Sequence, residues 1–318
     1  MKKLTRAEAA GFLLSHDNFC ILTHRRPDGD TIGSAAALCL GLRQLGKKAW
    51  VLENSEVTDR FAFLLEGLTR EAPADTDTIV SVDVASPGML PKAFEIYKDR
   101  VQLRLDHHGS ATSFTPEELV DPDSASCAEL ICDVITMLGV QLDRKIAEAV
   151  YVGASTDTGC FRFANTTAHT FMVAAVCAQA GAEIYKLNQQ LFETNSLAKL
   201  RMHAWMIENM KLFDDGRLAI VAIPRAVEEL LGVTDDDMDN ISSYPRTVAG
   251  VCMAGTLRQS KTGETKISVR AIPGYDAAAV CAVFGGGGHA GAGGGFIKEP
   301  LAVAEKTLMD AMLKWENS

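Results

Sequence analysis

No apolar run in the chain reaches the roughly 18 residues that a membrane-spanning helix needs, so no span is expected. Aromatic residues are scarce, at 7% of 318, and acidic side chains outnumber basic ones to give a net charge of −10. That balance argues against stable duplex DNA binding, which needs a basic footprint. It also argues against a groove for long single strands, which needs cations interleaved with stacking platforms. The eight cysteines include no CxxC pair and sit inside apolar stretches. They read as buried thiols in a reducing cytoplasm, with zinc sites and disulfides disfavoured. The first residues, MKKLTRAEAAGFLLSHDN, lack an apolar signal core and read as an amphipathic helix.

Apolar residues do make up 47% of the chain, enough for a large core and two domains. Short apolar runs recur at FCILT (19–23), AWVLE (49–53), TIVSV (78–82) and VQLRL (101–105), with helix-like stretches between several of them. This alternation predicts a parallel α/β sheet. From Ser124 to about Leu212 the spacing turns helical, with Ser124 as the expected N-cap of SASCAELICDVITML. Strand patterns return at RLAIVAI (217–223), VAGVCMAGTL (248–257) and TKISVRAI (265–272), followed by a helix-like segment that runs into a glycine tract. The expected fold is therefore α/β, with three parts. A domain over 1–186 has a parallel sheet flanked by helices, a helical linker covers 187–212, and a smaller α/β domain with a mixed sheet covers 213–318. The apolar helices over 128–150 and 167–212 could also cover a homodimer face, although the core claims most of them.

Charge is unevenly spread. Residues 241–298 carry Arg246, Arg258, Lys261, Lys266, Arg270 and Lys298 against Glu264 and Asp276, a local +4 that leaves −14 elsewhere. The acidic part could hold metals and the basic part a small anionic ligand.

The acidic part concentrates where strands are expected to end, the edge at which parallel sheets bind ligands. His24, Asp28 and Asp30 follow FCILT, Asp83 follows TIVSV, and Asp106, His107 and His108 follow VQLRL; Asp157 lies in YVGASTDTG. Each has a plain structural alternative: Asp28 a turn, Asp30 a helix cap, Asp83 a cap, Asp157 a turn before Gly159. Together they suggest a site. Asp28, Asp30, Asp83 and Asp157 would balance two divalent cations, with His24 and His107 as neutral imidazole donors. Mixed carboxylate and imidazole donors suit Mn²⁺, with Mg²⁺, Co²⁺ or Fe²⁺ as alternatives. Two such ions can activate a water and clamp a phosphoryl group.

HRRPDGDTIGS, SVD, LDHHGS and YVGASTDTG, in that order, resemble the four motifs of the DHH phosphoesterase family. KISVRAI followed by FGGGGHAGAGG resembles its DHHA1 substrate domain. The resemblance implies that His24, Asp28 and Asp157 hold one metal, Asp30 and His107 the other, and that Asp83 bridges them. Asp106 would support His107 from behind, and His108 would contact the scissile phosphate. Arg270, His289 and the glycines Gly286, Gly287 and Gly288 would hold phosphate or nucleotide, with Arg258 as a further basic candidate or an ordinary strand residue. Two departures stand out: Ala271 replaces the serine that ends the SLRS pattern, and AGAGGG follows His289. Members with this domain pair resemble nanoRNase/pAp phosphatases, which release nucleoside 5′-monophosphates from short RNA and remove the 3′-phosphate of 3′-phosphoadenosine 5′-phosphate (pAp). The alternatives are a cyclic-dinucleotide or pApA phosphodiesterase, or a catalytically silent nucleotide-binding regulator.

Overall fold

The computed structural model describes residues 1–109, 112–238, 240–260 and 263–316. Ser110 of LDHHGS and Lys261 of the basic segment lie outside the described residues. The chain forms two compact units, Met1–Thr194 and Asn195–Ser318. Among the described residues no helix is long and apolar enough to cross a membrane.

The first unit is built on seven parallel strands: β1 (Lys2–Lys3), β2 (Phe19–Leu22), β3 (Ala49–Leu52), β4 (Thr69–Arg70), β5 (Thr78–Val82), β6 (Val101–Asp106) and β7 (Glu117–Val120). Their order is β1-β7-β6-β5-β2-β3-β4. β2 is apolar throughout because both its faces are covered. Phe19 and Ile21 join the core under the helices, whereas Cys20 and Leu22 face a second cluster with Val84, Leu90 and Phe94. The helices are α1 (Arg6–Ser15), α2 (Gly29–Gln44), the short α3 (Asp59–Ala62), α4 (Cys127–Met137), α5 (Arg144–Asp157), α6 (Ala168–Gln179) and α7 (Ile184–Asn188). The chain leaves β2 toward β3 on one side and returns to β5 on the other. This topological switch opens a crevice at the carboxyl ends of β2 and β5.

α2 and α5 pack unusually closely because glycines meet there. A Cβ on Gly33 would lie 2.4 Å from the Ala149 carbonyl oxygen and 2.9 Å from the Gly153 amide nitrogen. The N-cap of α4 is Ser126, whose hydroxyl accepts from the Glu129 amide at 3.1 Å, and not Ser124. Ser124 is occupied otherwise: its hydroxyl bonds Asp121 and Arg6.

The second unit holds α8 (Leu197–Asn209), β8 (Lys211–Phe213), β9 (Leu218–Ile223), α9 (Arg225–Leu231), β10 (Met253–Gln259), β11 (Thr265–Ala271), α10 (Ala277–Ala282), β12 (Gly287–His289), β13 (Ala292–Ile297) and α11 (Leu301–Glu316). The sheet order is β12-β13-β11-β10-β9-β8, parallel only between β9 and β10. Met202 and Met206 of α8 pack on Val221 and Ile223, while Leu308 and Met312 of α11 pack with Leu257 and Val269. The expected strand over VAGVCMAGTL begins only at Met253, because the chain first turns at Val248–Val251, where the Val251 amide donates to the Val248 carbonyl at 3.1 Å and Gly250 takes a φ of 90°.

Candidate metal centre

His24 stands just past β2, Asp83 directly after β5, and Asp106 ends β6 with His107 and His108 beyond it. Asp28 and Asp30 flank the start of α2, and Asp157 ends α5. The fold thus brings four separate segments to the crevice.

Each side chain is aimed by local bonding. Asp28 is the N-cap of α2, with its Oδ1 accepting the amides of Asp30 and Thr31 at 3.1 and 3.0 Å. It is both the cap and a crevice carboxylate, so Asp30 has no capping duty. Asp30 is instead buried against the start of α4, where its two oxygens accept the Cys127 and Ala128 amides at 2.7 and 2.8 Å. A helix N-terminus favours an anion there. Asp83 sits at a left-handed φ of 57°, and Thr31 donates its hydroxyl to Asp83 Oδ2 at 2.6 Å. His24 Nδ1–H donates to the Arg25 carbonyl at 2.8 Å and His107 Nδ1–H to the Ser124 carbonyl at 3.2 Å. A carbonyl can only accept, so both rings are held with Nε2 toward the carboxylates.

Nε2 of His24 lies 3.5 Å from Asp83 Oδ2 and 3.9 Å from Asp28 Oδ1. Nε2 of His107 lies 3.6 Å from Asp83 Oδ1, 3.7 Å from Asp30 Oδ2 and 3.7 Å from Asp157 Oδ2. These gaps exceed hydrogen-bond length. They match the about 3–4 Å that separates two donors each about 2.1 Å from one ion. Asp83 Oδ1 is buried and accepts no hydrogen bond from the described residues. The donor atoms cluster as His24, Asp28 and Asp83, and as Asp30, His107 and Asp157, each within the span of one ion; Asp83, His107 and His108 form a further such group. The residues fit divalent cations.

The grouping of Asp157 differs from the sequence expectation, which set it beside His24 and Asp28. Gly153, one helical turn earlier, packs on Asp30, where a Cβ would lie 3.0 Å from Asp30 Oδ1. The end of α5 therefore brings Asp157 to the Asp30 side. Asp106 also differs. Its Oδ1 accepts from the His107 and His108 amides and, at 2.8 Å, from His108 Nδ1–H, so it orients the His108 ring and not that of His107.

The cluster is electrostatically unbalanced on its own. Burial and then the Asp83 and Asp157 carboxylates push Asp30 well above the ordinary carboxylate range. Burial and then Asp28 and Asp83 push Asp157 up to about 8. For His24, burial opposes the charge, but the facing Asp83 carboxylate and then that of Asp28 outweigh it and raise the ring to about 9. Burial likewise opposes charge on His108, and Asp106 and Asp83 overcome it, again to about 9. Asp83 goes the other way: burial raises it, but three histidines hold it low.

In the second unit, Arg270 and Ser268 of β11 share a sheet face with Thr256 of β10 and line a cavity of about 160 Å³ with Lys266. Arg258 lines it too, with its guanidinium bound to Glu228 at 2.8 and 3.1 Å. The glycine tract is not an open loop. The Gly285 and Gly286 amides donate to Ala282 and Cys281, and Gly287, Gly288 and His289 form β12 against β13. Thr31, which orients Asp83, and Asn54, which donates to Thr23 Oγ1 and the His24 carbonyl at 3.0 Å each, escaped the sequence reading. Thr31 lies inside the first motif and could have been noticed; Asn54 carries no local signal.

Residues 18–154 match the model of the DHH family, N-terminal domain. A curated relative, the bifunctional oligoribonuclease and PAP phosphatase NrnA of Thermus thermophilus, is 31% identical over 87% of this chain and 83% of its own length. Among solved structures, an exopolyphosphatase-related protein from Bacteroides fragilis superposes with a TM-score of 0.85 at 22% identity, covering 98% of this chain and 96% of that one. The RecJ structure in complex with Mn²⁺ from Thermus thermophilus gives a TM-score of 0.54 at 13% identity, over 96% of this chain and 54% of its own. The chain belongs to the DHH family.

Proposed function

We propose that the chain is a two-cation phosphoesterase that hydrolyses oligoribonucleotides of a few units to nucleoside 5′-monophosphates and pAp to AMP and phosphate. The observation that carries this reading is the convergence of four carboxylates and two Nε2-directed imidazoles on one crevice, in a chain 31% identical to NrnA. His24, Asp28 and Asp83 would hold one ion, and Asp30, His107 and Asp157 the other, with Asp83 shared. When bound, the ions, Mn²⁺ first by donor type, would supply Lewis-acid stabilisation of the phosphoryl group and an activated nucleophile.

The chain's own residues do the rest. Asp106 fixes the His108 tautomer with hydrogen on Nδ1, which leaves Nε2 to meet a phosphate oxygen or the leaving group. Arg270 and His289 would take the terminal phosphate, helped by the short β12 edge. Arg258 would act indirectly, because Glu228 already holds its fork. The acidic, aromatic-poor composition supports short substrates over long strands or duplex DNA. We place the protein in the cytoplasm, whose reducing conditions suit its free, mostly buried cysteines.

Side-by-side rates with Mn²⁺ on pAp, a linear dinucleotide, a cyclic dinucleotide and a long single strand test the reading. The short linear substrates and pAp are expected to turn over fastest. Preference for the cyclic dinucleotide or the long strand would contradict it, and no turnover of any would favour a silent regulator.

A further inference from the structure

Beneath the Asp106–His108 segment lies a cation that no step above uses. Arg104, in β6, is 1% exposed. A guanidinium keeps its proton, so burying it is costly unless placed partners offset the loss. Its partners come from two other segments of the site. Nη1 donates to the Ala85 and Thr112 carbonyls, each at 3.1 Å, and Nη2 donates to Glu118 Oε2 at 2.6 Å. Ala85 follows closely on Asp83, and Thr112 on His108. The same Ala85 carbonyl accepts the Thr112 amide at 2.7 Å. Asp106 Oδ2, which accepts no hydrogen bond from the described residues, faces Nη1 at 3.9 Å. Glu118 is itself held by the Ser113 hydroxyl at 2.9 and 3.0 Å.

An ion pair serving stability alone would need only Glu118. Here one planar fork also ties together the two backbone stretches that lead away from Asp83 and His108. We infer that Arg104 is a positioning residue for the reaction. It clamps the Ala85 stretch to the Thr112–Glu118 return and so sets the approach of Asp83 to His108, 3.5 Å between Oδ1 and Nδ1. This rests on the proposed phosphoesterase reading.

Two variants test it. Arg104→Lys keeps the charge opposite Glu118 but loses the fork. Arg104→Met combined with Glu118→Gln removes both buried charges and keeps an acceptor for Ser113. With pAp and saturating Mn²⁺, both are expected to lower kcat about 10- to 100-fold, the effect of small misplacement, while KM changes little. Amide hydrogen exchange should quicken over 83–86 and 112–118 and stay unchanged over β2 and α2. Wild-type kcat in either folded variant would overturn the clamp. So would parallel loss in kcat and KM with faster exchange throughout the unit, or failure of both variants to fold, since each would mark a stability role only. An inactive wild-type protein would count against the phosphoesterase reading and not against the clamp, whose exchange signature is independent of turnover.

Discussion

Asp83 holds a backbone conformation that non-glycine residues rarely adopt, φ 57°, with one carboxylate oxygen bonded to Thr31 and the other buried with no donor among the described residues. Strain of this kind persists where the surroundings fix it, and here the surroundings are the ends of β5 and β6 and the first turn of α2. Replacing Asp83 with Ala is expected to reduce Mn²⁺-dependent hydrolysis of every substrate to background; near-normal turnover would remove it from the centre. Thr31→Val keeps the shape but loses the 2.6 Å bond. It should weaken Mn²⁺ binding about 10- to 100-fold, as loss of a partner behind a metal ligand usually does, measured by direct titration. Arg270→Ala should chiefly raise KM for substrates with a terminal phosphate; unchanged KM would shift that role elsewhere. At this scale the sequence was informative because carboxylates and imidazoles next to apolar runs mark strand ends. It could not show that Asp157 joins Asp30, since that depends on a glycine contact between α2 and α5. It could not show Arg104 either, because an arginine inside VQLRL looks like any polar strand residue until its burial is known.

Among elements, the close approach of α2 and α5 matters most. Gly33→Ala would drive a methyl against the Ala149 carbonyl. The expected cost is about 1–3 kcal/mol of stability, with weaker metal binding as Asp30 moves from Asp157. Gly11 in α1 is the contrast, with nothing within 4 Å of an added Cβ. Gly11→Ala should stabilise by about 0.5–1 kcal/mol and leave activity unchanged. Thermal melts of the two variants, followed with activity, check both. β2, β3, β5 and β6 were readable because strands buried on both faces are mostly apolar, as FCIL is; β1, β4 and β7, two to four residues long and with charged side chains, were not. β12 and β13 were not, because glycine is a poor strand former and GGGGHAGAGGG carries no alternation. There the glycines serve close packing: a Cβ on Gly286 would lie 2.3 Å from the Gly294 carbonyl, and one on Gly288 2.2 Å from that of Ala292.

Over the whole molecule, the centre ties folding to protons and cations. Without metal, Asp157 titrates near 8 and His24 and His108 near 9, all above their ordinary values. Groups raised on folding lend stability below their unfolded values and lose it as pH climbs through the folded ones. Asp83 is lowered and acts oppositely, but its change is complete at acid pH. The metal-free protein should therefore lose stability between about pH 5 and 9. Cations need these groups deprotonated, so Mn²⁺ uptake should release protons and tighten with rising pH. Melting curves with and without Mn²⁺ across this range check the sign; metal-free stability that rises with pH would contradict it. The division into an α/β unit with a parallel sheet and a mixed-sheet unit was legible from the order of apolar runs. The start of α4 at Ser126 and not Ser124 was not, because the choice is made by Asp30, far away in sequence, accepting the Cys127 and Ala128 amides.

The most direct test is anomalous diffraction from crystals soaked in manganese. Two ions are expected per chain, one against His24, Asp28 and Asp83 and one against Asp30, His107 and Asp157, with Asp83 reaching both. Manganese absent from the crevice, or a single ion that leaves either set unengaged, would contradict the account.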